Sequence, residues 1–324
     1  MIDCCEQGCA VSSLTLCHFF RSYLYASCRP KVRGTERAQM LKLKDWPHGA
    51  DFREKLPDLH ADLMGALPFK QYAHAHGALN LARFLPVELL PPDLGPKLYC
   101  AVGRRKLWRA GDYVKGGYTC LHCDVADAYN LLVHEWNPPD DAGDAPPPRG
   151  APADPDLWDA ELGSLAGAAG AVWDIWRYED SRAICAYLTE RAARLGLPAC
   201  AHPIHDQSCY LDEAMRRELR DEHGVVGWHF IQRQGEYVFI PAGCCHQVRN
   251  LSCCIKVAMD FVSPENVHRC LDLAEQFRRL PDGHAVKEDK LQPKLMLRHA
   301  LEHALGHLEA ALAQGTGGVH GTGG

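Results

Sequence analysis

No run in the 324 residues approaches the roughly 18 consecutive apolar residues that a membrane-crossing helix needs. The opening MIDCCEQGCAV is acidic and lacks the basic cluster and apolar stretch of a secretion signal, so the chain is read as one kept inside the cell, in a reducing compartment. Positive charge is not in excess either. Lys and Arg total 35 against 41 Asp and Glu, a formal charge of −6, which excludes a global basic field for gripping nucleic-acid phosphates and suits a basic partner better. No internal repeat is present. A complete four-ligand zinc set is also missing, since Cys4, Cys5 and Cys9 near the start and Cys120-x-x-Cys123 are partial groups without matched spacing.

What is present is a globular composition. Hydrophobic residues make up 47% and charged residues 23%, and the length allows one large domain or two ordinary ones. The 16 cysteines fall largely in apolar, strand-like runs such as Cys253 and Cys254 in LSCCIKVAMDFV. They read as small buried apolar residues rather than as a disulfide framework.

Along the chain, residues 12–28 read as a helix with Ser12 or Ser13 as its N-cap, and 39–46 alternate like a strand. Short helices and turns broken by Pro57, Pro68 and Pro86 fill 51–90. A β-rich block covers 118–135. Residues 137–156, rich in Pro, Ala and Asp, read as a disordered loop because they offer no core-forming side chains. Helices are expected over 179–195 and 208–223. A second β block spans 227–262, punctuated by Gly235, Pro241, Gly243 and Asn250. In the C-terminal part Leu291, Leu295, Leu301, Leu305, Leu308 and Leu312 recur at helical spacing and form a stripe that faces a core or a partner. Two β blocks separated by a helical insertion, with helices at both ends, predict an α+β chain built round a β-barrel or sandwich.

His122-Cys123-Asp124 sets an imidazole and a carboxylate at i and i+2, positions that share one face of a strand. A third ligand must come from elsewhere, and His246, after the VFIPAGCC turn, is the best candidate. Two His and one carboxylate are the facial triad of non-haem iron(II) oxygenases, which leaves three coordination positions open. A dianionic keto acid, 2-oxoglutarate, can take two of them and dioxygen the last. His74, His76, His202 and His205 read instead as solvated or structural.

The far carboxylate of such a keto acid needs a cation. Lys256 stands in the apolar run CCIKVAMDF, where a lysine is costly unless it meets an anion. Either the cofactor or a structural pair with Asp260 supplies that anion. Thr119 offers a hydroxyl beside the ligand pair, Asn130 an amide on the strand that follows, and Lys115 is the alternative anchor.

The segments LKLKDWPHGADFREKLP (41–57), LNLARFLP (79–86), TCLHCDVADAYNLLV (119–133), HPIHDQSCYLD (202–212) and VFIPAGCCHQVRNLSCCIKVAMDFVSPE (238–265) resemble the Jumonji C, or JmjC, oxygenases. Within that family they are most similar to the subgroup, hairless-like enzymes included, that demethylates lysine nine of histone 3. The resemblance runs along most of residues 40–295. It implies a double-stranded β-helix, a jelly-roll or cupin-like barrel with flanking helices and a helical insertion. It also implies iron at His122, Asp124 and His246, 2-oxoglutarate as co-substrate, and a methylated histone tail as substrate. Oxidative N-demethylation with release of formaldehyde, a nuclear setting and chromatin-associated partners follow from it, without sequence-specific nucleic-acid binding or a membrane. The expected division is a lead-in over 1–38, the JmjC oxygenase domain over 39–282, a helical region over 283–314 and a disordered tail over 315–324. Cys120 and Cys209 stand where the family is expected to have Asn and Trp. A zinc region upstream of the oxygenase, usual in that subgroup, is not part of this sequence. A JmjC protein hydroxylase and a non-catalytic JmjC scaffold remain the alternatives.

Overall fold

A computed structural model describes residues 2–5, 11–31, 34, 38–47, 51–103, 118–140, 170–197 and 199–316. The proline-rich stretch from residue 141 onward, Lys115, Cys9 and the tail from 317 lie outside the described residues.

Strands β1 (Ile2–Cys5) and β2 (Val11–Leu14) form an antiparallel pair ahead of helix α1 (Leu16–Leu24). The helix expected over 12–28 is therefore shorter at both ends. Its N-cap is Thr15, whose side chain accepts the His18 N–H, and not Ser12 or Ser13, which are paired in β2. Both hydroxyl residues satisfy a cap rule locally, and the ladder with β1 is what moves the start. Strand β3 (Lys42–Trp46) precedes three short helices, α2 (Phe52–Lys55), α3 (Pro57–Ala66) and α4 (Lys70–Ala73), and then β4 (Lys97–Ala101).

The first β block resolves into β5 (Tyr118–His122) and β6 (Asp127–Trp136), with β7 (Ala171–Ile175) beyond. Helices α5 (Ser181–Leu195) and α6 (Glu213–His223) follow. The latter starts later than position 208 because Asp212 caps it, accepting the Met215 N–H. The second β block gives β8 (Trp228–Gln232), β9 (Tyr237–Ile240), β10 (His246–Asn250) and β11 (Cys253–Phe261). Helices α7 (Val267–Arg278) and α8 (Pro293–Thr316) complete the described chain.

These strands form two antiparallel sheets, β2-β1-β3-β4-β11-β6-β9 and β5-β10-β7-β8. The strands of the two β blocks alternate between the sheets, the wiring of a double-stranded β-helix, so residues far apart in sequence share one barrel. Its interior holds Ala128, Ala171, Trp173, Val238, Ile240 and Val248. Outside the smaller sheet, Ile184, Leu188, Leu211 and Leu219 from the helical insertion pack on Leu121 and Trp176. Outside the larger sheet, Leu67 and Ala73 cover Tyr129 and Met259. Each sheet thus buries both faces where helices lie on it, and its strands are correspondingly apolar rather than alternating.

From Cys17 to Cys270 the cysteines are free thiols, and eight of them are buried, among them Cys120, Cys209, Cys244, Cys245 and Cys270. The leucine stripe divides. Leu291 is buried, whereas Leu301, Leu305, Leu308 and Leu312 are 55–61% exposed on α8. No described helix is long and apolar enough to cross a membrane.

Candidate metal centre

His122 is the last residue of β5, and His246 is the first of β10. The two are Cα partners in the antiparallel ladder, so their imidazoles lie side by side, ring centroids 4.1 Å apart. Beyond His122 the chain bends, and Asp124 swings its carboxylate towards the same point. Its Oδ2 lies 3.6 Å from His246 Nε2. The three ligand atoms all fall within 4.8 Å of one another, and no other such group of three His, Cys, Asp or Glu occurs among the described residues.

The ring orientations decide which nitrogens face an ion. His122 Nδ1 lies 2.8 Å from the Cys120 carbonyl and His246 Nδ1 3.1 Å from the Cys244 carbonyl. A carbonyl only accepts, so each Nδ1 carries the hydrogen and each Nε2 keeps a lone pair for a metal. Burial, and then the His122 ring beside it, holds the His246 imidazole down at about 4 against the pull of Asp124. It is therefore neutral at physiological pH, the form that ligates. His246 is buried, while the Asp124 side chain is 37% exposed, so the ion position is open to one side.

Buried carboxylates hold the ligand segments in register. Asp127 accepts hydrogen bonds from Ala242 N–H (2.9 Å), Ser263 N–H (2.9 Å) and the Asn266 side-chain amide (2.6 Å). It thereby ties the start of β6 to the turn before His246. Gly243 N–H donates to the Asp124 carbonyl at 2.9 Å, which joins the two ligand-bearing loops directly. Gly243 has φ +75°, and an added Cβ would come within 2.5 Å of the Tyr178 ring, so a side chain is excluded there. On the outer face of the smaller sheet Asp174 accepts from Gln247 at 2.8 Å and lies 2.6 Å from His229 and 3.2 Å from Arg216. These contacts and the charge of Arg216 overcome its burial and keep its carboxyl below the usual range. Gln247 also bonds both the N–H and the carbonyl of Leu211, which fixes the residue beside His246 to the helical insertion.

Inside the barrel, Trp173 stacks on His246 with ring centroids 5.9 Å apart and planes 18° apart. Lys256 Nζ lies 5.2 Å over the same indole. Lys256 is 5% exposed, and burial lowers its ammonium to about 8. Among the described residues no carboxylate pairs with it, so the pair with Asp260 weighed above is not formed. Asp260 is pushed well up by its own burial, with the charges of Asp124 and Asp45 adding to it. Thr119 is the ladder partner of Val248, an interior residue, and Asn130 that of Ala258 and Val238. The Asn130 Oδ1 is buried without a hydrogen-bond partner among the described residues. The barrel thus brings together Lys256, Thr119, Asn130 and the triad, while Lys115 lies outside the described residues.

A cavity of about 580 Å³ opens between β8 and β9, lined by Tyr178, Trp228, Phe230, Tyr237, Phe239 and Arg269 among others. It borders Ile175, the ladder partner of His246, but not the triad itself.

Sequence reading missed Trp173, Asp127 and Asp174. A signal existed for the two acids, each set among apolar strand residues as Lys256 is. None existed for Trp173, whose importance lies in what stacks on it.

Comparison with protein families places this geometry. Residues 162–261 match the family model described as JmjC domain, hydroxylase. The barrel has the cupin-like JmjC fold. The matched segment runs through β11, and the His122–Asp124 part of the JmjC barrel precedes it. The chain is similar to lysine-specific demethylase JMJ26 of Arabidopsis thaliana, 40% identical over 338 residues, covering 95% of this chain and 37% of the relative. It is similar also to lysine-specific demethylase 3A of Homo sapiens, 41% identical over 286 residues, 87% of this chain and 21% of the relative. Lysine-specific demethylase 3A-B of Xenopus laevis is 42% identical over 281 residues, 85% and 21%. The chain therefore spans a fifth to two fifths of the length of these relatives.

Proposed function

We propose that this chain is an iron(II)- and 2-oxoglutarate-dependent histone lysine demethylase that acts at lysine nine of histone 3 in chromatin. The observation that carries the reading is the triad, with two imidazoles orienting Nε2 lone pairs and one carboxylate meeting at the barrel mouth. That donor set suits a divalent iron with three open positions. The similarity to proteins named lysine-specific demethylases supports the reaction class. The HPIHDQ and VFIPAG…CIKVA…DFVSPE strings support the lysine-nine subgroup, and the hairless-like grouping rests on them alone.

The interior fits the co-substrate. Lys256 presents an ammonium without a carboxylate among the described residues, and the Asn130 amide has an unpartnered oxygen beside it on the neighbouring strand. Lys256 would hold the far carboxylate of 2-oxoglutarate, Thr119 and Asn130 would add hydrogen bonds, and His122, Asp124 and His246 would hold the iron. When bound, the iron and keto acid supply oxidation of a C–H bond by dioxygen, with succinate and carbon dioxide as by-products. The chain's own residues orient and exclude. Trp173 lies against both Lys256 and His246 and would wall the co-substrate's position between them. Asp127 and Gly243 hold the Asp124 and His246 loops at a fixed separation. An N-methyl group placed at the half-exposed side of the triad becomes a hydroxymethylamine on oxidation. That product loses formaldehyde and leaves the lysine.

The test is mass spectrometry of mono-, di- and trimethylated histone 3 peptides incubated with the chain, iron(II), ascorbate and 2-oxoglutarate, with formaldehyde measured in parallel. Loss of 14 Da steps, about one methylene each, with matching formaldehyde is expected. A stable product 16 Da heavier, about one oxygen, would assign a protein hydroxylase instead, and no turnover with intact metal binding would assign a scaffold.

A further inference from the structure

The pairing that brings His122 to His246 also sets their chain neighbours face to face. His122 and His246 are Cα partners, and two residues further along, the Gly243 N–H meets the Asp124 carbonyl at 2.9 Å, so the segments carrying Cys123 and Cys245 run side by side between these two contacts. Side chains alternate along a strand, and the two thiols project away from the ligands. There Cys245 is fully buried among Leu121, Trp176 and Ile184, and Cys123 packs against the same cluster. The two thiols thus meet the same buried cluster behind the ligand pair. Cys123 is only half-buried, and His205 Nδ1 lies 3.8 Å from its sulfur. The nearby thiols point elsewhere. Cys185 meets the His202 ring at 3.5 Å, and Cys244 belongs to the barrel interior.

We propose that Cys123 and Cys245 are a redox modification site, at which a peroxide closes a reversible disulfide directly behind the metal ligands. The Cys123 sulfur attacks one peroxide oxygen and the O–O bond breaks. The sulfur keeps a hydroxyl as a sulfenic acid, and the first water leaves with the thiol proton. The Cys245 sulfur then attacks the Cys123 sulfur, the S–O bond breaks, and the second water leaves with the Cys245 proton. Two thiols are oxidised by two electrons and one hydrogen peroxide is reduced to two waters.

Closing the bond reaches the metal site. The two sulfurs must approach to about 2.05 Å. Cys123 stands between two ligands and Cys245 beside the third, so this approach drags the ligand-bearing backbone with it. Disturbing what supports metal ligands typically weakens metal affinity about 10- to 100-fold.

The test treats the full chain, stripped of metal by a chelator, with hydrogen peroxide, blocks the remaining thiols, and maps linked peptides by mass spectrometry without reduction. A peptide joining the segments around Cys123 and Cys245 is expected, lost on adding a thiol reductant. It should vanish in Cys123→Ser and in Cys245→Ala but persist in Cys120→Ser and Cys244→Ser, which resolves the neighbouring cysteines. If Cys245→Ala fails to fold, Cys123→Ser decides alone. Cobalt(II) titration of the oxidised chain should show an affinity about 10- to 100-fold below the reduced chain, restored by reductant, with Cys123→Ser insensitive to peroxide. No linked peptide, or a link to Cys185 or Cys200 instead, overturns the site. An unchanged cobalt affinity in a chain verified as linked overturns the coupling to the ligands. The mapping needs no demethylase activity, so it stands or falls apart from the proposed function.

Discussion

Replacing Lys256 by Met keeps the length of the side chain inside the barrel and removes only its charge. Lys256 is 5% exposed, and its Nζ lies 5.2 Å over the Trp173 ring with no carboxylate paired to it among the described residues. With the far carboxylate of 2-oxoglutarate as its anion, one charge-assisted hydrogen bond contributes about 1.5–3 kcal/mol. Lys256→Met and Lys256→Ala should then weaken 2-oxoglutarate binding about 10- to 150-fold, measured by calorimetry on the cobalt-loaded chain, with cobalt affinity little changed. Without the ligand the ammonium is a cost. Its fall from the ordinary 10.5 to about 8 corresponds to roughly 3 kcal/mol, at about 1.36 kcal/mol per pKa unit.

The sign follows from which state holds the proton. Below pH 8 both folded and unfolded chains are protonated and the full cost of burial is present. Between about 8 and 10.5 the folded chain releases its proton while the unfolded chain keeps it, so stability rises with pH through that window. Ligand-free Lys256→Met should therefore melt above wild type at pH 7, and that advantage should shrink towards pH 10. In 2-oxoglutarate the order should reverse. A lower melting temperature for both variants with unchanged 2-oxoglutarate affinity would refute this reasoning. The titration would then pass to Lys115→Ala.

Other substitutions probe the metal centre and its supports. His246→Ala and Asp124→Asn should each abolish measurable cobalt(II) binding while circular dichroism stays that of wild type, and retained tight binding would place the ion elsewhere. Gly243→Ala forces a Cβ towards the Tyr178 ring at a positive φ and should cost about 2 kcal/mol or more in urea unfolding, with weaker cobalt binding, because Gly243 N–H meets the Asp124 carbonyl. Asp127→Ala strands three donors, and a drop of about 3 kcal/mol or more in unfolding free energy is expected, whereas a loss under 1 kcal/mol, about one ordinary hydrogen bond, would show the network to be dispensable.

Much of this protein is decided locally, and that part is legible in its sequence. The i, i+2 spacing of His122 and Asp124 fixes a shared face on any strand, and a lysine within CCIKVAMDF signals a buried cation in any fold. The two β blocks follow from their apolar runs and turn residues, and the leucine stripe follows from helical spacing. Local rules alone left the stripe undivided, although Leu291, just before α8, is buried and Leu301 within it is exposed, because which part of this segment packs on Leu81, Ala242 and Val262 depends on neighbours distant in sequence. They also set α1 too early, since the β1–β2 ladder claims Ser12 and Ser13. Only the antiparallel pairing of β5 with β10 brings His246 beside His122, and with it the segment of Cys245 beside that of Cys123. Trp173 acquires its place between Lys256 and His246 only when the two sheets close into one barrel, and Asp127 its three donors only when β9 and β11 flank β6 in the larger sheet. The physical reason is range. Residue type and spacing fix the face a side chain occupies, but what that face meets is set by strand register across the intervening chain, which no short segment encodes.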